Sequence, residues 1–215
     1  MLILPVVILV VIVGATASGM FGELPSFEDL ENPNSALASE VFSADGVLLG
    51  KYYYQNRTNV HYKELAPNLV NALKATEDIR FEDHSGIDIR GLVRVLVKTV
   101  ILRQSESGGG STITQQLAKN LFPRERISGF QLVTRKIKEW IIAVRLERNY
   151  TKEEILAMYL NTVEFGSNSF GIKSAAQIFF NKQPSELKTE ESAVLVGLLK
   201  APTYYSPVRN PDNST

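Results

Sequence analysis

A chain of 215 residues, 44% hydrophobic and 21% charged, can bury one sizeable core and is too apolar to be disordered. Lys plus Arg and Asp plus Glu both number 23, so no whole-protein field draws nucleic acid or an acidic surface, and any anion site must be local. With no cysteine and only two histidines, His61 and His84, the chain has no disulfide, thiol nucleophile, Cys-ligated zinc or His-rich metal site.

Residues 1–22 carry no charge and Leu2 to Val13 are almost wholly apolar, which predicts a transmembrane anchor. Ala15-Thr16-Ala17 has the small-x-small form of a cleaved signal peptide, the alternative reading. Residues 23–38, acidic and holding Pro25 and Pro33, read as linker. Asp45-Gly46 between two apolar runs predicts a small β hairpin. From about residue 66 the chain reads as helical. Pro67 suits a first helical position, and Leu69, Val70 and Leu73 form an apolar stripe behind it. Leu92 to Leu102 is apolar but carries Arg94 and Lys98. It reads as a core helix with a basic wet side, against the alternative of a helix dipping into a membrane surface.

Thr112-x-x-Gln115 and Thr151-x-x-Glu154 both fit a capping box. Val133, Ile137, Trp140, Ile141 and Val144 define the expected core face of a helix near 131–148. Further helices are predicted near 169–180 and 189–200, the last stopped by Pro202. Ser185 and Lys188 have S-x-x-K spacing, but the companion motifs of acyl-serine enzymes do not follow, so Ser185 reads as a turn or cap.

Two carboxylates stand out. Glu77 continues the apolar face of its helix, four residues after Leu73. A carboxylate there is buried, hydrogen-bonded or turned into a cleft, and a cleft suits a general base. Glu139 follows Arg135 by four residues and Lys136 by three. The cation comes first, the weaker order for a helix ion pair, so a phosphate site beside the cluster competes with a surface pair. Gly108 to Gly110 form a loop ahead of Ser111 and Thr112, and the helix start that follows can receive an anion. Gln116 and Lys119 share one side of that helix, and His84 reads as a satisfied structural histidine.

Together these segments resemble the glycosyltransferase domain of class A penicillin-binding proteins. Glu77 to Asp88 fits E-D-x-x-F-x-x-H-x-G-x-D, and Gly109 to Gln116 reads G-G-S-T-I-T-Q-Q before Leu117 to Asn120. Arg135 to Glu139 reads R-K-x-x-E, Lys152 to Asn161 reads K-x-x-I-L-x-x-Y-L-N, and Gly197 to Pro202 closes the series. The resemblance covers about residues 40–210. It implies a mainly α, lysozyme-like, two-lobed domain over residues 39–215, with a small β hairpin before it, an N-terminal transmembrane helix and a membrane-touching jaw. It also implies an inverting peptidoglycan glycosyltransferase that joins lipid II to a lipid-linked glycan strand and releases undecaprenyl diphosphate.

By position Glu77 matches the family's base and Glu139 its second essential carboxylate. Asp78, Ser111, Thr112, Gln115, Gln116, Lys119, Asn120, Arg135 and Lys136 match substrate-binding positions, with Arg126, or else Arg124, on the diphosphate. No cofactor is required, although a divalent cation such as Mg²⁺ is compatible with the diphosphate chemistry. The implied setting is the outer side of the bacterial cytoplasmic membrane, with cell-wall synthesis proteins as partners and no nucleic acid. The chain departs from the family in a longer stretch between Asn120 and Arg135 and in Tyr205-Ser206-Pro207 where many members have Tyr-Asn-Pro. No transpeptidase motif is present, so the chain is expected to be a fragment ending after its first catalytic domain. A lysozyme-like glycan hydrolase and a non-catalytic membrane-anchored scaffold are the rival readings.

Overall fold

The computed structural model describes residues 11–20, 39–43, 45, 48–52, 59–98, 109–121, 129–167, 169–201 and 204–205. Among them the protein is mainly α-helical. The helices are α1 (Pro67–Glu77), α2 (Ile89–Leu96), α3 (Ile113–Leu121), α4 (Phe130–Asn149), α5 (Lys152–Thr162), α6 (Ile172–Phe180) and α7 (Thr189–Lys200). Short 3-10 turns occupy Tyr62–Glu64, Phe81–Asp83 and Pro184–Glu186. The expected hairpin is present as β1 (Ser39–Phe42) and β2 (Leu48–Tyr52), antiparallel, with Ser39 opposite Tyr52 and an irregular register between Val41 and Phe42.

Residues 11–17 are helical, but no helix among the described residues is long and apolar enough to cross a membrane. Of the anchor expected over 1–22 only residues 11–20 are described, and the linker over 23–38 lies outside the described residues.

The chain divides into two compact units. One comprises Glu31–Thr76 and Leu156–Thr215, and its buried residues include Leu69, Leu73, Tyr159, Leu160, Phe165, Ile172, Leu195 and Leu198. Pro67 opens α1 because its missing N–H is one the helix start leaves unused. Asn161 acts there as a backbone mimic: its Oδ1 accepts from Val60 N–H at 3.0 Å and its Nδ2 donates to Val60 C=O at 2.9 Å. Ser185 lies inside the turn Pro184–Glu186, the structural role its sequence context predicts.

The other unit comprises Met1–Leu30 and Glu77–Ile155, with α3 packed along α4. Here two expectations fail. The buried face of α4 is Ile137, Ile142, Ala143 and Leu146 together with Thr134 and Glu139. Val133 is exposed, and Trp140, Ile141 and Val144 are only half-buried, so of the expected face Ile137 alone is covered. On the covered side the Gly86 backbone lies against that of Ala143 and Val144, so closely that a Cβ at Gly86 would not fit.

The second concerns α2, where Leu92 to Leu102 is expected as a core helix: residues 99–102 lie outside the described residues, and Leu92 and Val95 are half-buried. The core-helix reading requires its apolar residues to be covered. Ile89, Val93 and Val97 are instead 70%, 54% and 39% exposed, in line at i, i+4 and i+8. Exposed Arg90, Arg94 and Lys98 run beside them at the same spacing.

Candidate active site

The site is built on the turn that follows α1 and on the start of α3. Asp78 is buried, and both of its oxygens are engaged. They receive His84 Nε2 at 3.0 and 3.2 Å, and Oδ2 also accepts from the N–H of Ile113, the first residue of α3, at 3.1 Å. A carboxylate at that helix end meets a free N–H and the positive end of the helix dipole. His84 Nδ1 accepts from Gly86 N–H at 3.2 Å, which leaves the ring proton on Nε2, facing Asp78. The histidine is thus fully satisfied within the turn, as its sequence context predicts.

Gly86 has φ +91, a conformation that favours glycine, and a Cβ there would stand 2.8 Å from the Ala143 backbone. Its carbonyl receives Thr112 Oγ1 at 2.8 Å and Gln115 Nε2 at 3.2 Å. Thr112 also accepts from Gln115 N–H at 3.1 Å and so caps α3. Asp88 caps α2 through Gly91 N–H at 2.9 Å and pairs with Arg80, whose Nε lies 3.1 Å away. Partial burial pushes the Asp88 carboxyl upward, but Arg80 and the Gly91 N–H outweigh this and hold it below the usual range.

The two candidate catalytic carboxylates differ in their surroundings. Glu77, half-buried at the end of α1, accepts from Gln116 Nε2 at 2.7 Å. Glu139, buried on α4, receives Lys136 Nζ at 2.9 Å and has Arg135 Nε at 3.9 Å. The same Lys136 Nζ donates to Ser111 Oγ at 2.9 Å. One carboxylate is therefore bonded to Gln116 and the other linked through Lys136 to Ser111. Only four residues lie between Ser111 and Gln116, three of them in the first turn of α3, which rises about 5.4 Å per turn. The fold brings Glu77 and Glu139 to opposite ends of one short segment.

Behind this segment lies a second buried network that sequence reasoning missed. Thr114 Oγ1 donates to Glu147 Oε1 at 2.6 Å, and Glu147 Oε2 pairs with Lys152 Nζ at 2.7 Å. Lys152 also donates to the His84 carbonyl at 2.6 Å and stands 4.3 Å over the Phe81 ring, which meets His84 edge-on. Lys152 belongs to a recognised motif, but no sequence pattern links it to Glu147, and the pair emerges only from the structure.

Of the remaining expected site residues, Lys119 and Asn120 lie exposed on α3, and Arg124 and Arg126 lie outside the described residues. Asp78, Thr112 and Gln115, expected on substrate, are buried with their contacts inside the protein. No three His, Asp or Glu side chains converge as metal ligands among the described residues, and Glu139 already faces two cations.

Comparison with known proteins identifies the family. A family model described as Transglycosylase matches residues 45–215. Penicillin-binding protein 1A of Neisseria lactamica is 38% identical over 194 residues, which is 90% of this chain and 24% of that protein. Penicillin-binding protein 1A of Pseudomonas aeruginosa is 36% identical over 192 residues, 89% of this chain and 23% of the relative. The chain thus spans about a quarter of the length of these curated relatives. The ordered motifs, their convergence on one helix start and a match over residues 45–215 place this chain in the transglycosylase family.

Proposed function

We propose that this domain polymerises lipid II into β-1,4-linked glycan, with inversion at the donor's anomeric carbon. Glu77 takes the proton from the acceptor's 4-hydroxyl as that oxygen bonds to the anomeric carbon. The donor's bond to diphosphate breaks, and its electron pair leaves on undecaprenyl diphosphate. A single displacement of this kind inverts the centre. Gln116 orients Glu77 through its 2.7 Å bond. Lys136 and Arg135, held by Glu139, face the departing negative charge, where fixed cations act most strongly. Ser111, Lys119, Asn120 and Arg126 are assigned to sugar and diphosphate contacts. Asp78, Thr112 and Gln115 act as positioning residues.

The observation that carries this reading is the contrast between the two carboxylates: Glu77 is bonded to a neutral amide, whereas Glu139 is bonded to one cation and faces a second, at either end of segment 111–116. Base and leaving-group stabiliser need those opposite surroundings. A hydrolase acting on finished glycan has no use for the cationic end. The exposed stripe of Ile89, Val93 and Val97 beside Arg90, Arg94 and Lys98 supports contact with a membrane surface, where a lipid-linked substrate resides. The reading further includes a lysozyme-like fold, an anchor and an extracytoplasmic catalytic domain.

The test is polymerisation of purified lipid II by this chain and by a Glu77→Gln variant. The variant should lose about 1,000-fold in rate, within the range of a lost general base, and keep its circular dichroism. A variant polymerising at the parent rate removes the mechanism. Cleavage of finished peptidoglycan with lipid II untouched favours the hydrolase.

A further inference from the structure

Lys152 and Glu147 form a partly buried ion pair that makes no contact with Glu77, Glu139, Lys136 or Gln116 among the interactions described above, and the proposed chemistry does not use it. Its side chains are 24% and 4% exposed. Taking the Glu147 carboxylate and much of the Lys152 side chain out of water carries a desolvation cost before their attraction is counted, and such pairs are often replaceable by apolar residues without loss of stability. Stability alone is therefore a poor account of this pair, and geometry offers a better one.

We propose that the Lys152–Glu147 pair is the positioning element of the site. Lys152, at the start of α5, joins the turn 81–84 to α4 through one ammonium. Its Nζ holds the His84 carbonyl, caps the Phe81 ring face and meets Glu147 on α4. Glu147 spends its other oxygen on Thr114, two residues before Gln116. Displacement of either end acts on the reacting groups by a short route. On one side Thr114 carries α3 and with it Gln116, the donor to Glu77 Oε2. On the other, His84 carries Asp78, the residue next to Glu77, which is itself tied to the first N–H of α3. The pair thus sets the spacing between the turn that presents Glu77 and the helix that orients it. An apolar pair of similar volume would fill the space but could not hold a carbonyl oxygen and a hydroxyl at fixed points.

The inference rests on the glycosyltransferase reading for its kinetic arm, and it also has an arm that does not. A Lys152→Met/Glu147→Met double variant is compared with the parent chain for lipid II polymerisation, thermal midpoint and amide exchange. The expected result is a midpoint within a few degrees, kcat down by about 100-fold with KM within about twofold, and faster exchange at Ile113 but not in α7. A displacement of about 1 Å far from the chemistry is enough for a loss of that size. Lys152→Arg should recover most of the rate, since a guanidinium still donates to both oxygens.

Should the double variant fail to fold, Thr114→Val decides. It leaves the ion pair intact, cuts only the link to α3 and should lower kcat about 10-fold. A folded double variant with parental kcat, or a Thr114→Val chain with parental kcat, overturns the inference. If the parent chain does not polymerise lipid II, the functional reading fails, and unchanged Ile113 exchange in the double variant overturns the positioning claim separately.

Discussion

Two helix starts in this chain carry the same pattern, a threonine followed three residues later by a glutamine or glutamate, and use it in different ways. At α5 the box closes on itself. Glu154 Oε2 accepts from Thr151 N–H at 2.8 Å, and Thr151 Oγ1 accepts from Glu154 N–H at 3.3 Å, all on the surface. At α3 only half the box forms. Thr112 accepts from Gln115 N–H, but both side chains then turn to the Gly86 carbonyl. The first motif serves only to cap its own helix, whereas the second gives up part of its local closure to hold a distant turn against α3. A local pattern thus becomes part of a site when burial offers its polar groups a non-local partner that they must satisfy.

The sharpest way to break the α3 arrangement is Gly86→Ala. The added Cβ meets the Ala143 backbone at 2.8 Å, in a φ that L residues avoid, and backbone yields less readily than a side chain. The expected loss is about 3 kcal/mol or more, read from urea unfolding, with lipid II polymerisation lost along with it. Thr112→Val should have a smaller effect. It preserves shape while removing the cap and one donor to Gly86, at a cost of about 2 kcal/mol, and the polymerisation rate should fall as α3 loosens.

Thr151→Ala sets the scale for an isolated cap. It should cost about 1 kcal/mol or less and leave the polymerisation rate unchanged. The Thr151 N–H and hydroxyl hold the Glu154 carboxyl below its ordinary value. A lowered folded pKa contributes stability above the unfolded value, about 4.3, and that stability is lost as pH falls through the folded one. The gap between parent and Thr151→Ala, measured by thermal unfolding, should therefore narrow below about pH 4. A Thr112→Val chain as stable and active as Thr151→Ala would erase the distinction between the two helix starts.

The residues of the site were legible because they occur as contiguous motifs: Glu77 with Asp78, Ser111 to Gln116, and Arg135 with Lys136 and Glu139. The helix starts at Pro67 and Thr151, the hairpin around Asp45 and the stripe Leu69, Val70 and Leu73 were legible as well, since capping, turn chemistry and periodicity act over a few residues. Glu147 was not, because a glutamate five residues before a lysine looks the same on a surface as in a buried clamp.

By itself the sequence determined the helical class, the element order, the polar motifs and the family. Only the tertiary structure decided which face of α4 is buried, that the apolar stripe of α2 is exposed, and which motif residues turn inward to hold Gly86. Capping and periodicity are local, so the chain carries them in its own order. Which neighbour covers a side chain depends on segments far apart in sequence, and a close approach such as Gly86 on Ala143 has no local trace beyond the smallness of the two residues.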